Sequence, residues 1–130
     1  MKLIRKILVV EDEAITAMSL KLRLTRFGYD ISKIVATGEE AIASIEQEKP
    51  DLILMDIRLA GELSGIETAQ QIQTSHKALP IIFMTGYSDQ ELHEQVQQLH
   101  PLAYFIKPIN VQELHTTITG AYEHRHWEKF

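Results

Sequence analysis

The sequence contains no cysteine and a single tryptophan. The missing cysteine excludes a disulfide framework, a thiolate metal site and a cysteine nucleophile. Basic runs are missing too. With 13 Lys and Arg against 18 Asp and Glu, the net charge is −5. A nucleic-acid surface or an anionic membrane calls for clustered cations, so both are disfavoured. Nothing approaches the roughly 20 apolar residues of a membrane span. The run Ile7 to Val10 is too short for the apolar core of a signal peptide and ends in three acids. Repeats, low-complexity stretches and linkers are absent. A cytoplasmic protein is the expectation.

What is present suits one domain. The chain has 130 residues and an apolar fraction of 45%, enough to bury an ordinary core. A single domain over 1–130 is expected, with its core at about 4–124 and a helix end or tail at 125–130. Five short apolar runs punctuate it: Ile4 to Val10, Ile31 to Ala36, Leu52 to Met55, Ile81 to Met84 and Ala103 to Ile106. None alternates with polar residues, as expected of strands buried on both faces of a parallel sheet.

Helical patterns fill the intervals. Ile15, Met18 and Leu22 predict one apolar stripe, and Leu92, Val96 and Leu99 another. Thr37 with Glu40, Ser64 with Glu67, Ser88 with Glu91 and Asn110 with Glu113 have the spacing of helix-start capping boxes. Pro50 and Pro80 stop the preceding helices. Helices are expected near 13–27, 38–48, 64–75, 88–98 and 110–125. Strand and helix alternating five times, with right-handed crossovers, give an α/β fold: an open parallel sheet covered on both faces.

In such a sheet ligands bind at the C-terminal strand ends. The first run leads into Glu11, Asp12 and Glu13, the third ends on Asp56, the fourth on Thr85 followed by Gly86, and the fifth on Lys107 followed by Pro108. Each residue alone reads as a helix cap, a strand end or a surface lysine. Together they place several carboxylates, a hydroxyl and an ammonium at one edge. Converging acids repel unless a cation joins them. Oxygen-only donors favour Mg²⁺ over zinc. A carboxylate beside Mg²⁺, Lys and a hydroxyl suits phosphoryl transfer.

The stretches ILVVEDE (7–13), LILMDIRL (52–59), IIFMTGY (81–87) and AYFIKPI (103–109) resemble the receiver domain of two-component response regulators, chemotaxis receivers among them. The resemblance covers nearly the whole chain. It implies a flavodoxin-like, doubly wound, five-stranded sheet in the order 2-1-3-4-5 with five helices. It implies that Asp56 is the phosphoacceptor, that Asp12 ligates Mg²⁺ directly and Glu11 through water, and that the Arg58 backbone carbonyl is a third ligand. Thr85 matches the hydroxyl that reaches a phosphoryl oxygen, and Lys107 that oxygen's ion-pair partner. The Lys107–Pro108 bond is commonly cis in the family. Tyr104 matches the aromatic switch that turns inward as Thr85 moves. The implied partners are the phosphohistidine of a sensor kinase or phosphotransfer protein, and a downstream protein or output domain that reads the face of the fourth helix, fifth strand and fifth helix. A homodimer through that face is also implied. Such a domain catalyses only its own phosphorylation and dephosphorylation.

The loop IRLAGELSG departs from the family pattern, with Ala60 in place of a common Pro and one extra residue before Gly65. Arg58 and Tyr87 are both bulky and flank the line of water attack, which predicts slow loss of the phosphoryl group. The histidines at 76, 93, 100, 115, 124 and 126 are scattered. His124 and His126, beside Arg125, read as cations favoured at a helix end. Trp127 and Phe130 suit packing on the domain, a dimer contact or the start of a following segment. An enzyme acting through an aspartyl-phosphate often carries a second acid two residues past the nucleophile, where this chain has Arg58. An FMN carrier needs a hydroxyl- and glycine-rich loop where this chain has Glu-Asp-Glu. A receiver-like scaffold that is never phosphorylated is disfavoured because every site position is filled. The chain reads either as a stand-alone receiver or as a piece of a longer regulator or hybrid kinase.

Overall fold

The structure is a computed structural model that describes residues 4–86 and 90–128, apart from the side chains of Ser32 and residues 122–128. Strands and helices alternate: β1 (Lys6–Val10), α1 (Ala14–Arg26), β2 (Asp30–Val35), α2 (Gly38–Gln47), β3 (Leu52–Asp56), α3 (Gly65–Ser75), β4 (Ile81–Thr85), α4 (Gln90–Gln97), β5 (Ala103–Ile106) and α5 (Val111–Glu128). All strand pairs are parallel, in the order β2-β1-β3-β4-β5. This is the expected doubly wound sheet. The helix α5 runs past the expected end at 125, so of the two expectations for 125–130, a helix end or a tail, the backbone is helical as far as Glu128.

The absence of polar alternation in the strands follows from burial on two faces. Ile7, Val9, Leu52, Leu54, Ile82 and Met84 pack against Leu20 and Leu24 of α1 and Leu114 and Ile118 of α5. Their neighbours Leu8, Val10, Ile53, Met55, Ile81 and Phe83 point the other way, onto Ala41 and Ile45 of α2, Ala69 and Ile72 of α3, and Val96 of α4. Successive side chains point to opposite faces, so each strand feeds both layers.

Three of the helix starts are seen. Ser64 and Glu67 form a full reciprocal capping box (3.1 and 2.9 Å). Thr37 Oγ1 accepts from the Glu40 N–H (3.1 Å), while the Glu40 carboxylate accepts from the N–H of Ala36 instead of Thr37 (3.3 Å). Asn110 Oδ1 accepts from the Glu113 N–H (3.1 Å). The expected cap at Ser88 lies outside the described residues.

The apolar stripe predicted for α1 is on the wrong side. Ile15, Met18 and Leu22 are exposed by 84, 59 and 57%, and the buried face is Ala17, Leu20 and Leu24. Both sets have the spacing i, i+3, i+7, so the helix carries two apolar rows. The small Ala17 made the buried row look weaker. In the α4 region the prediction holds: Val96 and Leu99 are buried and Leu92 packs against them.

Candidate functional site

Strand order reverses beside β1, whose neighbours are β2 and β3. The chain leaving β1 enters α1 on one face, and the chain leaving β2 or β3 enters helices on the other. A crevice is left above the C-terminal ends of β1 and β3. Glu11 and Asp12 follow β1, and Asp56 closes β3. One carboxylate oxygen from each of these three lies within 4.8 Å of the others. Glu11 and Asp56 are buried, and Asp12 is exposed.

Lys107 arrives from β5. Its N–H donates to the Thr85 carbonyl (2.7 Å), extending the β4–β5 ladder by one step. Its Nζ then donates to Glu11 Oε1 (2.5 Å) and to Asp56 Oδ2 (2.8 Å). The Lys107–Pro108 bond is cis, as the resemblance implied. Asp56 Oδ1 accepts from the Arg58 N–H (3.1 Å), and Glu11 Oε2 from the Glu13 N–H (3.1 Å). Thr85 is buried at the end of β4, one residue past Met84, the pairing partner of Asp56. Among the described residues, a Cβ at Gly86 would meet nothing within 4 Å.

The charges are in conflict. Burial pushes the Glu11 carboxyl up to about 7, and the neighbouring Asp56 adds to the push. The hydrogen bonds from Lys107 and the Glu13 N–H offset part of it. Burial would lower the Lys107 ammonium, but its bonds to Asp56 and Glu11 outweigh that and hold it above its ordinary value. The Lys107 ammonium bonds two of the three clustered acids. A hard divalent cation fits this donor set: carboxylate oxygens only, with one of them at the surface. Asp12, Asp56 and Glu11 would hold it.

The loop after Asp56 is fixed at several points. The Gly65 N–H donates to the Ile57 carbonyl (2.7 Å). A Cβ on Gly65 would overlap the Asp56 carbonyl oxygen, so only glycine lets α3 start against the acid's own backbone. Ala60 makes a parallel bridge with Thr37. The chain after β2 and the chain after β3 thereby meet across the end of β1, which lies between those strands. Gly61 turns there with φ 91°, a left-handed conformation that favours glycine. Sequence reasoning noted the longer loop but had no signal for its bridge to the start of α2.

Tyr104 is half-buried. It pairs with Phe83 in the β4–β5 register and packs on the α2–α4 side of the sheet. Its hydroxyl is buried. The His93 ring of α4 stands against it, with centroids 5.3 Å apart and planes at 86°. His93 was read from the sequence only as one of several scattered histidines. Tyr87, the other expected rate-tuning residue beside Arg58, lies outside the described residues.

The family model for the response regulator receiver domain matches residues 7–119. The chain belongs to that family. This receiver domain is 34% identical over 110 residues to the transcriptional regulatory protein PdtaR of Mycobacterium tuberculosis, covering 85% of this chain and 53% of PdtaR. It is 32% identical over 120 residues to the transcriptional regulatory protein ZraR of Escherichia coli, covering 92% of this chain and 27% of ZraR. It thus spans about half and about a quarter of these relatives. The signal receiver domain of a modulated diguanylate cyclase from Desulfovibrio desulfuricans superposes with a TM-score of 0.86 at 34% identity, covering 96% of this chain and 98% of that one. The receiver belongs to response-regulator signalling in two-component systems, a family of phosphoacceptor signalling domains. Among the described residues no helix is long and apolar enough to cross a membrane.

Proposed function

We propose that Asp56 accepts a phosphoryl group from a phosphohistidine on a sensor kinase or phosphotransfer protein, with Mg²⁺ held by Asp12, Asp56, the Arg58 backbone carbonyl and, through water, Glu11. The observation that carries this is the Lys107 ammonium bonded at once to Glu11 and Asp56 at the edge where four strands end. An Asp56 oxygen attacks phosphorus, the oxygen–phosphorus bond forms and the nitrogen–phosphorus bond to the donor imidazole breaks. The electron pair stays on that imidazole. Lys107 exchanges a carboxylate partner for a phosphoryl oxygen, and Thr85 donates its hydroxyl to another. Mg²⁺ supplies charge neutralisation across the transferring group. Water later attacks the same phosphorus and restores Asp56.

The exposed row Ile15, Met18 and Leu22 supports a protein donor. Met18 shares a shallow cleft of about 330 Å³ with Glu11 and Asp12. An apolar row that close to the acceptor fits a partner helix carrying the phosphohistidine. Modification then draws Thr85 toward the phosphoryl group and alters the face of α4, β5 and α5, which a downstream protein, an output domain or a second copy reads.

The test is thermal unfolding and size measurement with Mg²⁺ and beryllofluoride, a phosphoryl mimic. The wild type is expected to gain stability, and Asp56→Ala to gain none. Equal gains in both would contradict the assignment of Asp56, and a size increase only in the wild type would show dimerisation.

A further inference from the structure

A cleft of about 610 Å³ lies at the other end of the sheet, where β1 and β2 begin and α1 gives way to β2. Small-molecule sites typically span roughly 300–1,000 Å³. The floor is apolar, formed by buried Ile4 and Ile118. The wall is aromatic. The rings of Phe27 and His115 are stacked, with centroids 4.3 Å apart and planes at 21°. Tyr29 meets the His115 ring edge-on, and its hydroxyl is hydrogen-bonded to His115 Nδ1 at 2.8 Å. The turn that carries Phe27 is closed by two bonds, from the Gly28 N–H to the Thr25 carbonyl (2.9 Å) and from the Tyr29 N–H to the Leu24 carbonyl (3.2 Å). These contacts fix the rings before anything binds, which lowers the cost of stacking a planar ring on them. Phe27 is 38% exposed, so one of the wall's rings is within reach of a ligand.

The rim is charged. Arg5, Lys6 and Asp30 line it, two cations against one carboxylate. Asp51 is close as well, but its Oδ2 accepts from the backbone N–H groups of Arg5 and Lys6 (3.0 and 2.9 Å), which offsets its charge. The Lys6 ammonium is held by Glu48 at 3.5 Å. We propose that this cleft binds a small planar aromatic monocarboxylate, with its ring stacked on the Phe27–His115 wall and its carboxylate held by Arg5. A guanidinium meets a carboxylate through two parallel N–H bonds. Asp30, on the same rim, repels a phosphate dianion more than a monoanion, so the carboxylate is the better fit. The cleft shares no residue with the Asp56 site, which lies at the opposite strand ends. Binding there and phosphoryl uptake are therefore separate activities of the chain.

The experiment is amide NMR on the whole isotope-labelled chain, titrated with 2-naphthoate, 2-naphthamide and 2-naphthyl phosphate. Naphthoate is expected to give saturable shifts at Phe27 to Asp30 and at His115 to Thr119, with a Kd of about 1 mM or below. The amide and the phosphate should each bind about tenfold more weakly. Arg5→Gln should weaken naphthoate by about tenfold and leave the amide unchanged. Phe27→Leu should weaken both by severalfold. Arg5 and Phe27 are exposed, so both variants should keep the fold, and the three wild-type titrations decide the question without them. The proposal is overturned by any of four results: no saturable shift with naphthoate at about 10 mM, amide or phosphate binding as tightly as naphthoate, shifts confined to the edge that holds Asp56 and Lys107, or unchanged naphthoate binding in Arg5→Gln.

Discussion

Lys107 and Asp56, the ion pair at the centre of the site, are each positioned by backbone groups. Lys107 is aimed by the N–H···O bond to Thr85. Asp56 is held by the Arg58 N–H and backed by Gly65. Removing the ammonium in Lys107→Ala leaves Glu11 and Asp56 facing each other. Phosphoryl uptake from a small donor should fall by about 100-fold or more, since a lost charge-stabilising donor costs that much, while the fold is retained by circular dichroism. Gly65→Ala forces a methyl into the Asp56 carbonyl. It should cost on the order of 3 kcal/mol, a value reached through backbone strain, and lower Tm by roughly 10 °C. A Gly65→Ala protein as stable as wild type would show that α3 can shift without penalty. In the metal-free protein, Glu11 keeps its proton up to about 7 when folded but loses it near 4.5 when unfolded. Folding then binds a proton between those values, so this group's contribution to stability falls as pH rises from about 4.5 to about 7. Chelated protein should show that downward slope in Tm, and Glu11→Gln should lack it. Replacing the bulky pair, as Arg58→Asn with Tyr87→Ala, should speed loss of the phosphoryl group by opening the line of water attack. Equal or slower decay in that variant would contradict this.

At the scale of elements, α1 is the helix that faces outward as well as inward. Met18→Asp changes a side chain exposed by 59%, so stability should stay within about 0.5 kcal/mol. Transfer from a phosphorylated histidine partner should slow by tenfold or more, while uptake from a small phosphodonor is unchanged. Slowing of both reactions would place the defect in the site and not in docking. This helix also shows where the sequence ran out. Strand ends were legible because buried strands leave uninterrupted apolar runs, so Asp56, Thr85 and Lys107 announced themselves as the polar residues that stop them. The capping pair Ser64 and Glu67 was legible because its chemistry is local. Which row of α1 is buried was not, since both rows share a spacing and only the approach of β1 and α5 decides between them. The Thr37–Ala60 bridge and the His93–Tyr104 contact join residues far apart in sequence. No local pattern encodes either.

For the whole molecule, the order β2-β1-β3-β4-β5 brings β1 and β3 together. That adjacency places acids from widely separated segments within 4.8 Å. The same sheet delivers Lys107 from its edge strand, so site and fold are one construction. Divalent binding should therefore stabilise the entire domain: Mg²⁺ at 100 times its dissociation constant adds about 2.7 kcal/mol. The matching rise in Tm should vanish in Asp12→Ala. The central claim is that Asp56 is covalently modified. Its most direct test is the intact mass of the chain after incubation with Mg²⁺ and a small phosphodonor. The account predicts a gain of one phosphoryl group, lost in mild base as an acyl phosphate is and absent from Asp56→Ala. No gain in the wild type, or the same gain in Asp56→Ala, would contradict it.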